Sequence, residues 1–271
     1  MALLGVVFGL ALAPSGCEDD YDPGCLNDAD CAPDQTCDLA TGLCEYECQQ
    51  DDDCGNGFTC EAHHCLFECL GGQVQCPDAD GMASVCGVFC IDVYEASRPD
   101  ATGDQEGTDE TMATSRAGVM PWFTGNHSLM NQAVAEAACQ AAGKRLCMGA
   151  EWQVVCRGPD ELTYSYGDAY DPVTCNGIDT YCPCGPSPGC HQSCPADYHA
   201  MPTGAFPECT NAYGVYDING NVWELVAEAD GLDHYRGGAY NCANSQKLHR
   251  CDYDATWNPS AKGFRCCADG Q

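Results

Sequence analysis

Twenty-six cysteines in 271 residues constrain this chain more than anything else in it. A reducing cytosol would leave that many thiols reactive, so their number points to an oxidising compartment and a fold held by disulfides. The competing reading is a multi-zinc protein. Zinc sites are built from repeated short C-x₂₋₄-C pairs. Here the close pairs include Cys86/Cys90, Cys182/Cys184, Cys190/Cys194 and Cys266/Cys267, and the disulfide reading is preferred. Ten basic residues against forty-one acidic ones give a formal charge of −31. Nucleic-acid binding needs a basic face to displace counterions, and docking on anionic lipid needs one too, so both are excluded. The same acidity supplies oxygen ligands for hard divalent cations.

Residues 1–16 read as an export signal: a short apolar run, too short to span a bilayer, then Pro14-Ser15-Gly16 before Cys17. Small residues ahead of a cysteine resemble a bacterial lipobox, in which Cys17 would carry lipid. A plain signal peptide cut near Ala13 is the alternative. A membrane is then reached only through the lipid anchor. Residues 17–24 form an acidic tether. Residues 25–69 hold a tandem repeat, Cys25, Cys31, Cys37, Cys44 and then Cys48, Cys54, Cys60, Cys65, with an Asp before each second cysteine. Units of this size with few aliphatics cannot bury a core, so cross-links must hold them. The repeats read as a spacer or contact module without chemistry, and His63 and His64 as exposed polar residues. Residues 70–85, punctuated by Gly, Pro and Asp, read as a linker.

The main domain is expected over 86–271. Val88–Glu95 mixes apolar and polar positions as a strand does. Residues 97–118 read as a loop, Asn131–Ala142 as an Ala-rich helix ended by Gly143, and Glu151–Cys156 as a second helix. Asp168–Pro207 reads as a disulfide-pinned loop and Gly263–Cys267 as a last strand. Between them, Asn211–Cys242 places Asp217, Asn219, Asn221 and Glu224 within eight residues around Gly220. Oxygens that dense around a tight turn suit Ca²⁺. The plainer reading, a polar loop satisfying its own backbone, is favoured on composition alone.

Five ordered blocks then carry a resemblance: FCIDVYEAS, GKRLCMGAEWQVVCRG, NAYGVYDINGNVWELV, YRGGAYNC and GFRCC. Together they are similar to the formylglycine-generating enzyme, or sulfatase-modifying factor, family. The resemblance implies an α+β fold, the family's loop-rich, disulfide-stapled variant of the C-type lectin fold. It implies the disulfides Cys139–Cys266 and Cys156–Cys251. It also reverses the preference at the acidic turn: Asp217 and Glu224 by their carboxylates, and Gly220 and Val222 by their carbonyls, would bind a structural Ca²⁺. A second family site maps onto Asn176, the carbonyl of Gly177, Asp197 and the carbonyl of His199.

The resemblance breaks where the family oxidises a substrate cysteine with O₂ and a copper(I) held by two thiolates. The family's block G-G-S-x-x-C-x₄-C is written here with Ala239 for the serine, Cys242 for the first cysteine and Lys247 for the second. Copper(I) selects soft thiolates, and a lone thiol beside an ammonium lacks one of them. Cys147, in place of the proline of GKRLP, is expected to pair with Cys242, with a rebuilt second copper ligand as the alternative. Cys90 is expected to pair with Cys267. Trp223, Tyr94 and Glu95 read as structural. Ser245, His249 and Asp252 lack the elbow of a hydrolase and are discounted.

The leading expectation is an exported, non-catalytic, calcium-supported module. It would bind an envelope protein or a glycan through loops at Asp104–Phe123, Asp168–Asp197 and Asn241–Gln246. The rival is a copper-dependent oxidase of a cysteine or other thiol, with Cys242 as its catalytic residue.

Overall fold

The computed structural model describes residues 35–38, 43–46, 57–61, 64–67, 69, 71–123, 130–181, 198–228, 232–242 and 244–271. The signal segment, Cys17, the four cysteines from 182 to 194 and Asp197 lie outside these.

Each Cys-rich repeat yields one hairpin. Strand β1 (Gln35–Asp38) pairs antiparallel with β2 (Leu43–Tyr46), and β3 (Phe58–Glu61) with β4 (His64–Phe67). The register sets Cys37 opposite Cys44 and Cys60 opposite Cys65, the third and fourth cysteines of each copy. The second hairpin is part of the main body. Phe58 is buried with its ring 5.0 Å from Phe67, which meets Phe89 edge-on at 6.0 Å. Phe58 also packs against Ala150 and Val154.

The expected linker, 70–85, is likewise bound into the domain. It ends in β5 (Met82–Val85), which pairs with β6 (Phe89–Asp92), and it is stapled by Cys69–Cys86 and Cys76–Cys90. Its Val74 and Cys76 pack against Met82, Cys90 and Ala268. The Gly, Pro and Asp that suggested a linker form the turn into β5, where Asp78 accepts the Gly81 amide at 3.1 Å.

Strand β7 (Ala96–Ser97) pairs with β8 (Thr114–Ser115), the ordered exit of an otherwise irregular loop. Helix α1 (Gln132–Ala141) begins as its sequence predicts. The Asn131 side chain accepts the Val134 amide at 3.1 Å, and Gly143 follows the end at φ +72°. Such an N-cap contributes about 1 kcal/mol. Strand β9 (Arg145–Leu146) leads to α2 (Gly149–Arg157), one turn longer than expected, because buried Glu151 accepts the Met148 amide at 3.0 Å. The short α3 (Ile178–Tyr181) lies in the predicted loop.

Strands β10 (Trp223–Val226), β11 (His234–Arg236) and β12 (Lys262–Phe264) form a three-stranded sheet, and α4 (Ser245–Leu248) sits between the last two. The final block is two strands. β12 runs parallel to β10, whereas β13 (Cys266–Asp269) joins the other sheet, ordered β5-β6-β13-β9. The chain changes sheets at Arg265, whose fully buried side chain turns into the space between them.

Register also decides the cysteines. Cys139–Cys266 and Cys156–Cys251 are present, as the resemblance implies. Cys90 does not pair with Cys267. β13 sets Cys267 against Ile91 and Ala268 against Cys90, so the pleat places the two sulfurs on opposite faces. Cys90 pairs with Cys76 instead, and Cys267 with Cys147, which follows the β9 residues paired to β13. The expected Cys147–Cys242 pair is therefore excluded. A further bridge, Cys175–Cys209, closes the loop ahead of the acidic turn.

Candidate functional site

The acidic turn is strained in a way its residues tolerate. Asp217 and Asn221 both have φ +55° and Gly220 +79°; Asp, Asn and Gly are the residues that enter the left-handed region at least cost. A Cβ on Gly220 would run into the Asn176 carbonyl. Two backbone bonds join the turn to the loop after β11: Gly220 N to Gly237 O at 2.7 Å and Tyr240 N to Asn221 O at 3.0 Å. The two halves of Asn211–Cys242 are thus one structure.

Three buried carboxylates, Glu95, Asp217 and Glu224, stand around one buried guanidinium, Arg265. Glu224 accepts Arg265 Nη2 at 2.5 Å, Arg265 Nε at 2.7 Å and Trp152 Nε1 at 2.6 Å. Glu95 accepts the Asn221 side-chain amide at 2.5 Å and Val222 N at 3.1 Å. Asp217 accepts Gly204 N at 2.6 Å. One cation cannot balance three carboxylates. Burial, offset by the Gly204 amide and Arg265 and reinforced by Glu224, pushes Asp217 up to about 7. Burial, reinforced by the charges of Asp217 and Glu224, raises Glu95 well above the carboxylate range. Sequence reasoning missed that Arg265, Trp152 and Glu95 hold the turn. The available signal was an arginine between Phe264 and Cys266 in an otherwise apolar strand.

The second predicted set meets the first. Asn176 donates to Asn221 Oδ1 at 2.8 Å and to the His199 carbonyl at 3.0 Å, and its own carbonyl accepts Asn221 N at 2.8 Å. Its buried Oδ1 has no hydrogen-bond partner among the described residues. Gly177 adjoins it; Asp197 lies outside the described residues.

On the other side of the loop, Cys242 retains its thiol. Its sulfur is fully buried and accepts Ala239 N at 3.2 Å. Lys247, where the family's second thiol would stand, is exposed on α4 with its ammonium 5.5 Å from the centre of the Tyr253 ring. Ser245 donates to the Cys242 carbonyl at 3.0 Å and Asp252 is paired with Arg250, so no Ser-His-Asp array forms. Trp223 is a core residue, its ring tilted against Tyr253 and edge-on to Trp257.

His249 locks this loop. Its ring lies against Gly177, Gly220 and Gly238, with Nε2 3.3 Å from the Ala239 carbonyl. Burial lowers its pKa to about 4 despite that carbonyl and Asp179. The folded value lies below the unfolded one of about 6.5, so its contribution is complete above pH 6.5 and is lost as pH falls toward 4. The stability gap between wild type and His249→Gln is therefore expected to narrow by about 2–3 kcal/mol between pH 6.5 and 4.5 in denaturant titrations. A gap independent of pH would show that the imidazole is not held neutral.

The Sulfatase-modifying factor enzyme 1-like domain family matches residues 129–269. Formylglycine-generating enzyme of Mus musculus is 30% identical over 167 residues, 53% of this chain and 43% of that one. Its counterpart in Mycobacterium tuberculosis is 33% identical over 177 residues, 53% of this chain and 58% of that one. The chain thus spans less than two thirds of the length of these relatives. Superposition on PvdO from Pseudomonas aeruginosa gives a TM-score of 0.41 at 18% identity, over 68% of this chain and 80% of that one. More than half of the sequence, with its ordered blocks and the two disulfides they imply, places this chain in the sulfatase-modifying factor enzyme 1-like family.

Proposed function

We propose that this protein is a non-catalytic member of its family, a calcium-supported, disulfide-hardened module that binds an envelope protein or glycan outside the cytoplasm. The observation that carries the reading is the pair Cys242 and Lys247: one buried thiol, and an exposed ammonium where the second thiolate would be needed. That donor set does not fit a two-thiolate copper(I) site. Six disulfides among the described residues support an oxidising compartment, with Cys17 the proposed lipid anchor.

The test is copper uptake by the native, non-reduced protein, titrated against a copper(I) chelator. Less than a tenth of an equivalent is expected to bind with sub-picomolar affinity. Stoichiometric uptake that disappears in Cys242→Ala would overturn the reading and favour a thiol oxidase.

Oxygen donors of the kind predicted at the two sites suit a hard cation. Asp217, Gly220, Val222 and Glu224 would hold one ion, with Glu224 shared with Arg265. Asn176, Gly177, His199 and Asp197 would hold the second. Unbalanced negative charge at the first and the orphaned Asn176 Oδ1 at the second support this. An ion bound at a hundred times its Kd adds about 2.7 kcal/mol. Chelation with EDTA is therefore expected to lower Tm by roughly 5–10 °C, and an unchanged Tm would remove calcium from the reading.

A further inference from the structure

A concave site elsewhere on the domain shares no residue with the Gly237–Cys242 loop. It has a volume of about 650 Å³ and lies between the turn before β5, the end of α1 and the segment around β8. That volume is within the range of small-ligand sites, roughly 300–1,000 Å³. Its lining carries both signs of charge on different segments: Asp78 and Asp80 from the turn, Arg116 from the residue after β8, and Lys144 beyond α1.

These charges are not equally available. Lys144 is buried and committed to buried Asp92 at 2.6 Å, with Asp78 a second partner at 3.5 Å. Asp80 is exposed and has no ion-pair partner among the described residues. Arg116 spends Nε on Thr114 Oγ1 at 3.3 Å and Nη2 on the carbonyls of Arg98 and Ala101 at 2.8 and 3.3 Å. Its Nη1 makes no hydrogen bond among the described residues, so a guanidinium already immobilised by its other nitrogens presents two N–H donors. A planar guanidinium held in this way is suited to a carboxylate and loses little further freedom on binding one. Asp80 and Asp78 would receive an ammonium. Met112 and the Tyr94 ring supply the apolar surface between them, and the Tyr94 ring is itself fixed by stacking on Tyr216 at 5.3 Å.

We propose that this cleft binds a small zwitterion, an amino acid or short peptide with free amino and carboxyl termini, the carboxylate on Arg116 and the ammonium on Asp80 and Asp78. A ligand with one charge would leave either the guanidinium or Asp80 uncompensated, so both termini are required.

Titration calorimetry on the intact protein with L-alanine and trialanine tests this. Saturable binding of at least one is expected below about 10 mM. N-acetyl-trialanine and trialanine amide are each expected to bind at least about tenfold more weakly, as is trialanine to Asp80→Lys, whose exposed side chain leaves Tm unchanged. Stronger binding of alanine would assign the site to amino acids, and of trialanine to peptides. The proposal is overturned if neither saturates, if the blocked peptides bind as well as the free one, or if Asp80→Lys binds normally.

Discussion

Replacing Arg265 with methionine is expected to destabilise the domain by about 3–5 kcal/mol, the cost of breaking a buried ion pair by removing one partner. Arg265 is fully buried. Besides Glu224 it binds the carbonyls of Asp92 at 2.9 Å and Tyr216 at 2.9 Å. Without it, Glu95, Asp217 and Glu224 lose their shared counter-charge, and two carbonyls lose a donor. Urea unfolding should show the midpoint falling with little change in slope. Arg265→Lys should recover only part of the loss, because an ammonium cannot reach Glu224 with two parallel bonds and two carbonyls together. A loss under about 1 kcal/mol for the methionine variant would mean that the carboxylates are already neutral and need no counter-charge.

The second large effect is non-additive. Cys139–Cys266 and Cys147–Cys267 each close a loop of well over a hundred residues, with sequence separations of 127 and 120. Their ends are close in sequence: Cys266 adjoins Cys267, and Cys139 stands eight residues before Cys147. Once one bridge exists, the other closes a ring of only about ten residues. On a chain-entropy argument that ring contributes about 2.7 kcal/mol, whereas the first closure, whose path Cys156–Cys251 already shortens to about thirty residues, contributes about 3.7 kcal/mol. Removing either bridge by paired Cys→Ala changes is thus expected to cost about 3 kcal/mol. Removing both should cost about 6–7 kcal/mol, more than the sum of the single losses. Strict additivity in denaturation midpoints would show that the bridges act through native-state geometry and not through the unfolded chain.

Local signals in the sequence were reliable where the physics is local. Asn131 and Gly143 bound α1 because capping and left-handed closure involve neighbouring residues only. Cys139–Cys266 and Cys156–Cys251 were implied by ordered family blocks. The candidate site was legible as a cluster of oxygens, Asp217 to Glu224, but not its supports. Glu95 and Arg265 lie more than a hundred residues apart, and Trp152 reaches Glu224 on β10 from helix α2.

By itself, then, the sequence determined a cross-linked α+β chain of this family, with one thiol where the oxidising members use two. Tertiary structure alone decided which sulfurs meet. A one-residue offset across β6 and β13 turned Cys90 away from Cys267 and gave each another partner. It also decided that the second repeat hairpin docks on the domain through Phe58 and Phe67, and that one block splits between two sheets at Arg265. Side-chain facing alternates with every residue of a strand, so it follows from register, and register is set by distant partners that no local pattern encodes.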